Sequence, residues 1–118
     1  IPILLCKDIY YNYRKYSKGK SMVGQLRIYT INKGMADSWL KLFHEMIAPK
    51  TLEFGMGIQS AWMDEEKERF IWIRTYESLE DIKVKEEAFY GSDWWKENMP
   101  TVRGHLARRE ITVIVPSA

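Results

Sequence analysis

Apolar and polar residues take up regular patterns from Val23 onward. Val23 to Ile31 is rich in β-branched and aromatic residues and predicts a strand. Asn32-Lys33-Gly34 predicts a turn into a helix, with Gly34 as its N-cap and Asp37 in its first turn, where a carboxylate complements the positive end of the helix dipole. Ala36, Trp39, Leu40, Phe43, Met46 and Ile47 recur every three to four residues and give that helix a wide apolar stripe. Pro49 lacks a backbone donor, so a kink or weakening is expected before Phe54. Gly55 and Gly57 then release the chain into a second strand, Ile58 to Met63.

The polar tip Asp64-Glu65-Glu66-Lys67 joins this strand to a third as a hairpin. Ser78, with Asp81 three residues later, forms a capping box that starts a second helix through Leu79, Ile82, Phe89 and Tyr90 to Gly91. Ser92-Asp93 caps a further short helix carrying Trp94 and Trp95, which Met99-Pro100 is expected to stop. Arg109 to Val115 predicts the last strand. The order is βαββαβ, an α+β ferredoxin-like arrangement with a four-stranded antiparallel sheet and helices on one face.

The third strand carries Phe70-Ile71-Trp72-Ile73, and consecutive strand residues point to opposite faces. Four large apolar residues in a row therefore require cover on both faces, while the helices supply only one. The expected remedy is a second copy of the chain, giving a homodimer in which two open sheet faces meet as a barrel.

The 118 residues suit one domain, with 46% apolar and 29% charged residues, which excludes wholesale disorder. Five Trp and seven Tyr are many for this length and point first to core and dimer interface, then to a ligand pocket. The formal charge of +2 conceals an asymmetry. Segment 1–21 holds Lys7, Arg14, Lys15, Lys18 and Lys20 against Asp8 alone, interleaved with Tyr10, Tyr11, Tyr13 and Tyr16. Basic residues among aromatics are the composition of a stacking platform for single-stranded nucleic acid, although a solvated arm has the same composition. The domain division is thus a basic, Tyr-rich extension over 1–21 and a folded domain over 22–118. Cys6 is the single cysteine, so no intrachain disulfide or CxxC motif exists. No apolar run approaches the roughly 20 residues that span a membrane. A cytoplasmic location follows as the default expectation.

Leu26-Arg27-Ile28-Tyr29-Thr30 with Lys33-Gly34, then Trp39-Leu40-Lys41-Leu42-Phe43 and Ile47-Ala48-Pro49, resemble the opening of a NIPSNAP domain. Ala61-Trp62, Phe70-Ile71-Trp72-Ile73-Arg74, Tyr76-Glu77-Ser78-Leu79-Glu80, and Trp94 or Trp95 with Lys96 continue the resemblance in order. It extends over residues 22–115. The resemblance implies a dimeric α+β barrel, related in fold to antibiotic-biosynthesis and haem-degrading monooxygenases. It transfers no catalytic residue, because fold analogy is a weak warrant for activity.

Alternation places Arg27, Tyr29 and Ile31 on one face of the first strand and Phe70, Trp72, Arg74 and Tyr76 on one face of the third. If the two sets share a face, two guanidinium groups lie within an aromatic wall. Buried guanidinium groups require anionic or backbone partners, supplied by a carboxylate such as Glu77 or Glu110 or by an anionic ligand. The ligand-binding set is accordingly Arg27, Tyr29, Trp39, His44, Trp62, Trp72, Arg74 and Tyr76. His44 flanks the first helix's apolar stripe and is the single weak catalytic candidate, as an iron ligand or a base; as a lone histidine it equally suits a structural role. His105 is placed in a loop. Neither histidine belongs to a metal-ligand pattern, so no metal and no resident cofactor are expected, with haem as the alternative. GxSxG, GxGxxG and P-loop motifs are absent. The favoured function is a homodimeric barrel that binds a small aromatic or apolar acidic ligand, or a protein partner, in the cleft between sheet and helices. A cofactor-independent or haem-dependent small monooxygenase is the alternative, and nucleic-acid binding through segment 1–21 the second.

Overall fold

The computed structural model describes residues 22–117, and the basic segment 1–21 lies outside the described residues. Strand β1 (Val23–Ile31) leads through a turn to helix α1 (Ala36–Leu42). Gly34 does not cap this helix: its φ of +82° belongs to the turn, where the Met35 amide donates to the Asn32 carbonyl at 3.0 Å. Met35 occupies the N-cap without a side-chain hydrogen bond. A π-helical turn (Phe43–Ile47) follows and passes directly into α2 (Ala48–Glu53). Pro49 near the start of α2 therefore neither ends the helix nor weakens it far downstream. The wide turn immediately precedes the proline, which has no amide proton to return to a carbonyl four residues back. Gly55, at φ +86°, then turns the chain into β2 (Gly57–Met63).

At the hairpin tip the Asp64 carboxylate accepts from the Glu68 and Arg69 amides at 2.8 and 3.0 Å. These bonds hold its pKa below the ordinary value and fix the turn into β3 (Arg69–Tyr76). Helix α3 (Leu79–Tyr90) starts where expected, with the Ser78 hydroxyl accepting from the Asp81 amide. Helix α4 (Asp93–Gly104) has its own serine cap at Ser92, but it runs through Pro100 for one more turn. That turn buries Val102 in the core, and the Asn98 side chain donates to the Trp94 carbonyl at 2.8 Å. The last strand, β4 (Leu106–Ile114), begins three residues before Arg109, where the sequence predicts it, because backbone pairing with β1 sets its start.

All strand pairs are antiparallel, in the order β2-β3-β1-β4. The helices pack on one face. Tyr29, Ile31, Trp39, Phe43, Ile47, Ala48, Ile58, Phe70, Trp72 and Val102 form the main core there, and Met56, Tyr76 and Phe89 form a second cluster beside it. Trp39, Phe43, Phe70 and Trp72 interlock, with Phe43 and Trp72 edge to face at 5.0 Å. The register gives the other face to Leu26, Ile28, Ile71 and Ile73, which pair crosswise as Leu26 with Ile73 and Ile28 with Ile71. They are only half-buried in the single chain. Strand three thus has apolar residues on both faces, as its sequence indicated.

Candidate functional site

The helix-facing side of β1 and β3 carries a buried polar cluster in the middle of an aromatic wall. Arg27 and Arg74 are each 2% exposed, and the β1–β3 register sets Arg27 opposite Trp72 and Gln25 opposite Arg74. Each guanidinium Nε donates to the tyrosine two residues further along its own strand, Arg27 to Tyr29 and Arg74 to Tyr76, both at 2.8 Å. An i, i+2 pair on a strand shares a face, so the repeated Arg-x-Tyr spacing produces the same motif twice. Gln25 ties the two halves together. Its Oε1 accepts from Arg27 Nη1 at 2.6 Å, from Tyr76 Oη at 2.8 Å and from Arg74 Nη2 at 3.2 Å.

Neither Glu77 nor Glu110 supplies the counter-charge to Arg27 and Arg74. Glu86 does so from helix α3, with its Oε2 at 3.0 Å from Arg74 Nη2 and 3.8 Å from Arg27 Nη1. Glu110 pairs instead with Arg108 at the surface. One turn after Glu86, the Tyr90 oxygen accepts from both Nη2 atoms, at 3.2 Å from Arg27 and 3.1 Å from Arg74. Among the described residues, two buried cations thus share one carboxylate, an excess of positive charge. Burial pushes the Tyr76 phenol up to about 12 even with Arg74 beside it. Burial acts on Tyr90 in the same direction, but the charges of Arg74 and Arg27 outweigh it and bring that phenol below its ordinary value.

The cluster forms one wall of a cleft between sheet and helices. Arg27, Tyr29, Trp72 and Arg74 line it, together with Trp39, Tyr90, Trp95, Arg103 and Arg109. Empty space there is about 390 Å³ with the open mouth included, so the interior is tight. Among the described residues, four arginines border the cleft and no acidic residue does. Among the described residues, Arg103 and Arg109 are in no salt bridge; Arg103 lies over the Trp95 ring at 5.7 Å. The indole N–H groups of Trp39 and Trp72, both residues of the cleft wall, are buried and have no acceptor among the described residues.

Of the residues singled out from sequence, Arg27, Tyr29, Trp39, Trp72 and Arg74 line the cleft, and Tyr76 supports it through Arg74. Two lie elsewhere. Trp62 is 65% exposed and pairs with Ile71, which puts it on the open face of the sheet. The cause is a bulge at Gln59: Ile58 opposes Arg74 and Ser60 already opposes Ile73, so Ala61 and Met63 take the helix-facing positions and Trp62 is turned outward. His44 is buried in the π-helical turn, with its ring edge-on to Phe43 at 5.2 Å and its Nδ1 without a partner among the described residues, and it does not line the cleft. Burial holds its pKa below 6.5. His105 is structural rather than a free loop residue, bridging Ser38 Oγ at 2.8 Å and the Thr101 carbonyl at 2.7 Å.

Sequence reasoning missed Gln25, Glu86, Tyr90, Trp95, Arg103 and Arg109 at this site. Two signals were present. Alternation within β4 puts Arg109 on the side of Ile111, and Glu86 and Tyr90 are four apart on one helix face.

An open-faced four-stranded antiparallel sheet with helices on one side defines a ferredoxin-like α+β protein. The NIPSNAP family model matches residues 24–118, and the chain belongs to the NIPSNAP family. No curated protein matches it. Among solved structures, an uncharacterised NIPSNAP domain protein from Burkholderia xenovorans superposes with a TM-score of 0.74 at 16% identity, covering 81% of this chain and 95% of its own. A NIPSNAP family protein from Agrobacterium tumefaciens gives 0.74 at 22% identity, covering 83% and 88%. A Nitrosomonas europaea protein assigned provisionally as an antibiotic biosynthesis monooxygenase gives 0.64 at 12% identity, covering 83% and 92%. At these identities the likeness is one of fold. Among the described residues no helix is long and apolar enough to cross a membrane.

Proposed function

We propose that the protein binds a small, flat, anionic ligand in the arginine-lined cleft, and that it does so as a homodimer. The observation that carries the ligand reading is the one-sided polarity of the cleft. Among the described residues, Arg27, Arg74, Arg103 and Arg109 border it without an acidic neighbour in the lining, and the indole groups of Trp39 and Trp72, which find no acceptor there, are donors too. A buried donor without an acceptor is costly, and an acceptor-rich ligand relieves it. Tyr29, Trp72 and Trp95 offer aromatic surface to a planar body. Because the cleft is tight, entry displaces the exposed side chains of Arg103 and Arg109.

The homodimer reading rests on the apolar face opposite the helices. Among the described residues no layer covers Leu26, Ile28, Ile71 and Ile73, and Trp62 is exposed beside them. A face that meets its own copy through a two-fold axis is self-complementary, and a row of aliphatic residues meets that condition. A cytoplasmic setting belongs to the same proposal, since the one cysteine cannot form an intrachain disulfide.

Calorimetric titration of the full chain with 1-naphthoate and its uncharged isostere 1-naphthamide tests the ligand reading. Naphthoate is expected to bind at least about tenfold more tightly, a difference of about 1.4 kcal/mol, and Arg109→Ala to weaken it. Equal affinities, or no binding of either compound, would sink it. For the dimer, sedimentation should give twice the chain mass, and Ile71→Lys should halve it; a monomeric wild type at micromolar concentration refutes that part.

The second reading is a small monooxygenase, favoured by the fold shared with the Nitrosomonas europaea protein and by the aromatic lining. His44 lies outside that lining and gives this reading no residue at the cleft. Oxygen uptake with a dihydroxynaphthalene that the protein leaves unchanged would count against it.

A further inference from the structure

The two buried guanidinium groups outnumber their one carboxylate, and the position of Tyr90 completes the charge balance. Three phenols contact the pair. The Tyr76 hydroxyl gives its proton to Gln25 at 2.8 Å and accepts from Arg74 Nε, so its donor and acceptor capacities are both used. The Tyr29 oxygen accepts from a single cation, through Arg27 Nε. The Tyr90 oxygen alone accepts from both cations, and among the described residues no acceptor takes its proton. An oxygen that receives two charge-assisted donors from two cations is built to carry negative charge.

We propose that Tyr90 is the proton-exchanging group of the cleft: its phenolate is the internal counter-ion of Arg27 and Arg74, and an entering anion takes that place while the Tyr90 oxygen takes up a proton. The inference builds on the ligand reading above and adds a coupling to it. The charges balance in both states. With Tyr90 ionised, two guanidinium groups face the carboxylate of Glu86 and the phenolate. With an anion bound, they face Glu86 and the anion, and the phenol is neutral. A ligand arriving as its neutral acid passes its own proton to the Tyr90 oxygen, forming the O–H bond as its own bond to that proton breaks; a ligand arriving as the anion draws the proton from water.

The groups that face Tyr90 support this exchange. Arg27 and Tyr29 come from β1, Arg74 and Tyr76 from β3, and Glu86 from its own helix. Helix α4 contributes the Trp95 ring at 5.1 Å and, at the cleft border, Arg103, while β4 contributes Arg109. Burial favours the neutral phenol and Glu86 acts in the same sense, whereas Arg74 and Arg27 oppose them and prevail. Four arginines and, among the described residues, no carboxylate line the cleft, so the lining supplies no competing negative charge.

Ultraviolet difference titration of the ligand-free protein reads tyrosinate directly. One tyrosine is expected to ionise below the ordinary value of about 10, and this step is expected to vanish in Tyr90→Phe, which keeps the ring. Glu86→Gln, which removes the opposing carboxylate, should move the step to lower pH. A titration with no early step, or one unchanged in Tyr90→Phe, overturns the proposal. The coupling is read by calorimetry with 1-naphthoate at a pH just above that step, in buffers of different ionisation enthalpy. Uptake approaching one proton per naphthoate, absent in Tyr90→Phe, is the expected result, with affinity falling about tenfold per pH unit. Binding without proton uptake overturns the coupling. Failure of naphthoate to bind at any pH overturns the ligand reading and the coupling with it, whereas the ligand-free tyrosine step is decided independently.

Discussion

Replacing Glu86 by Gln removes the one carboxylate that faces two buried cations. Its Oε2 lies 3.0 Å from Arg74 Nη2 and 3.8 Å from Arg27 Nη1, and it also accepts from Gln25 Nε2 at 3.2 Å. Removing one partner of a fully buried ion pair costs about 3–5 kcal/mol. The Glu86 side chain is 30% exposed, so water screens part of that interaction and we expect a loss of about 2 kcal/mol. For a domain of this size that corresponds to a fall of roughly 10 °C in Tm. Urea and thermal denaturation of Glu86→Gln against wild type would measure it, with the exposed Glu87→Gln as a control for helix effects. Repeating both curves in sulfate and in chloride at matched ionic strength adds a second readout. Sulfate should restore more stability to Glu86→Gln than to wild type, because the variant cleft holds two uncompensated charges. A loss no larger than that of Glu87→Gln, or equal responses to sulfate, would show that Arg27 and Arg74 do not depend on this carboxylate, and the charge argument for the cleft would fail.

His44 should shape the acid limb of the stability curve. Its folded pKa lies below 6.5, so the neutral ring contributes stability that is present above pH 6.5 and lost as pH falls through the folded value; His44→Leu should flatten that limb, and an unchanged slope in acid denaturation would contradict the burial assigned to the ring. Tyr76 acts at the other end. With its pKa pushed up to about 12, it contributes stability present below about pH 10 and lost as pH rises through 12. Tyr76→Phe should remove this alkaline loss and cost about 1–3 kcal/mol near neutrality through the donors and acceptors left at Arg74 and Gln25, which urea titrations at two pH values would detect. Ser78→Ala should cost about 1 kcal/mol by removing the cap on the Asp81 amide; no change in urea midpoint would mean that the start of α3 is held by packing alone.

The local code of the chain determined the order of elements. Strand alternation, the apolar stripe from Trp39 to Ile47 and the serine cap at Ser78 act over a few residues, so they can be read without knowing what the chain touches. Alternation also determined that Arg27, Tyr29, Trp72, Arg74 and Tyr76 share two strand faces, which the β1–β3 register joins into one. What the tertiary structure decided depends on distant partners. Glu86 meets Gln25 across 61 positions of sequence, and no local pattern distinguishes it from Glu77 or Glu110 as the partner of the arginines. The bulge that turns Trp62 out of the cleft comes from the pairing of β2 with β3, because one extra residue reverses every side chain beyond it. The helix through Pro100 persists because Val102 is buried on the far side of the proline, a packing gain that a propensity scale does not contain. Backbone periodicity is a property of neighbours along the chain, whereas charge compensation and register belong to neighbours in space.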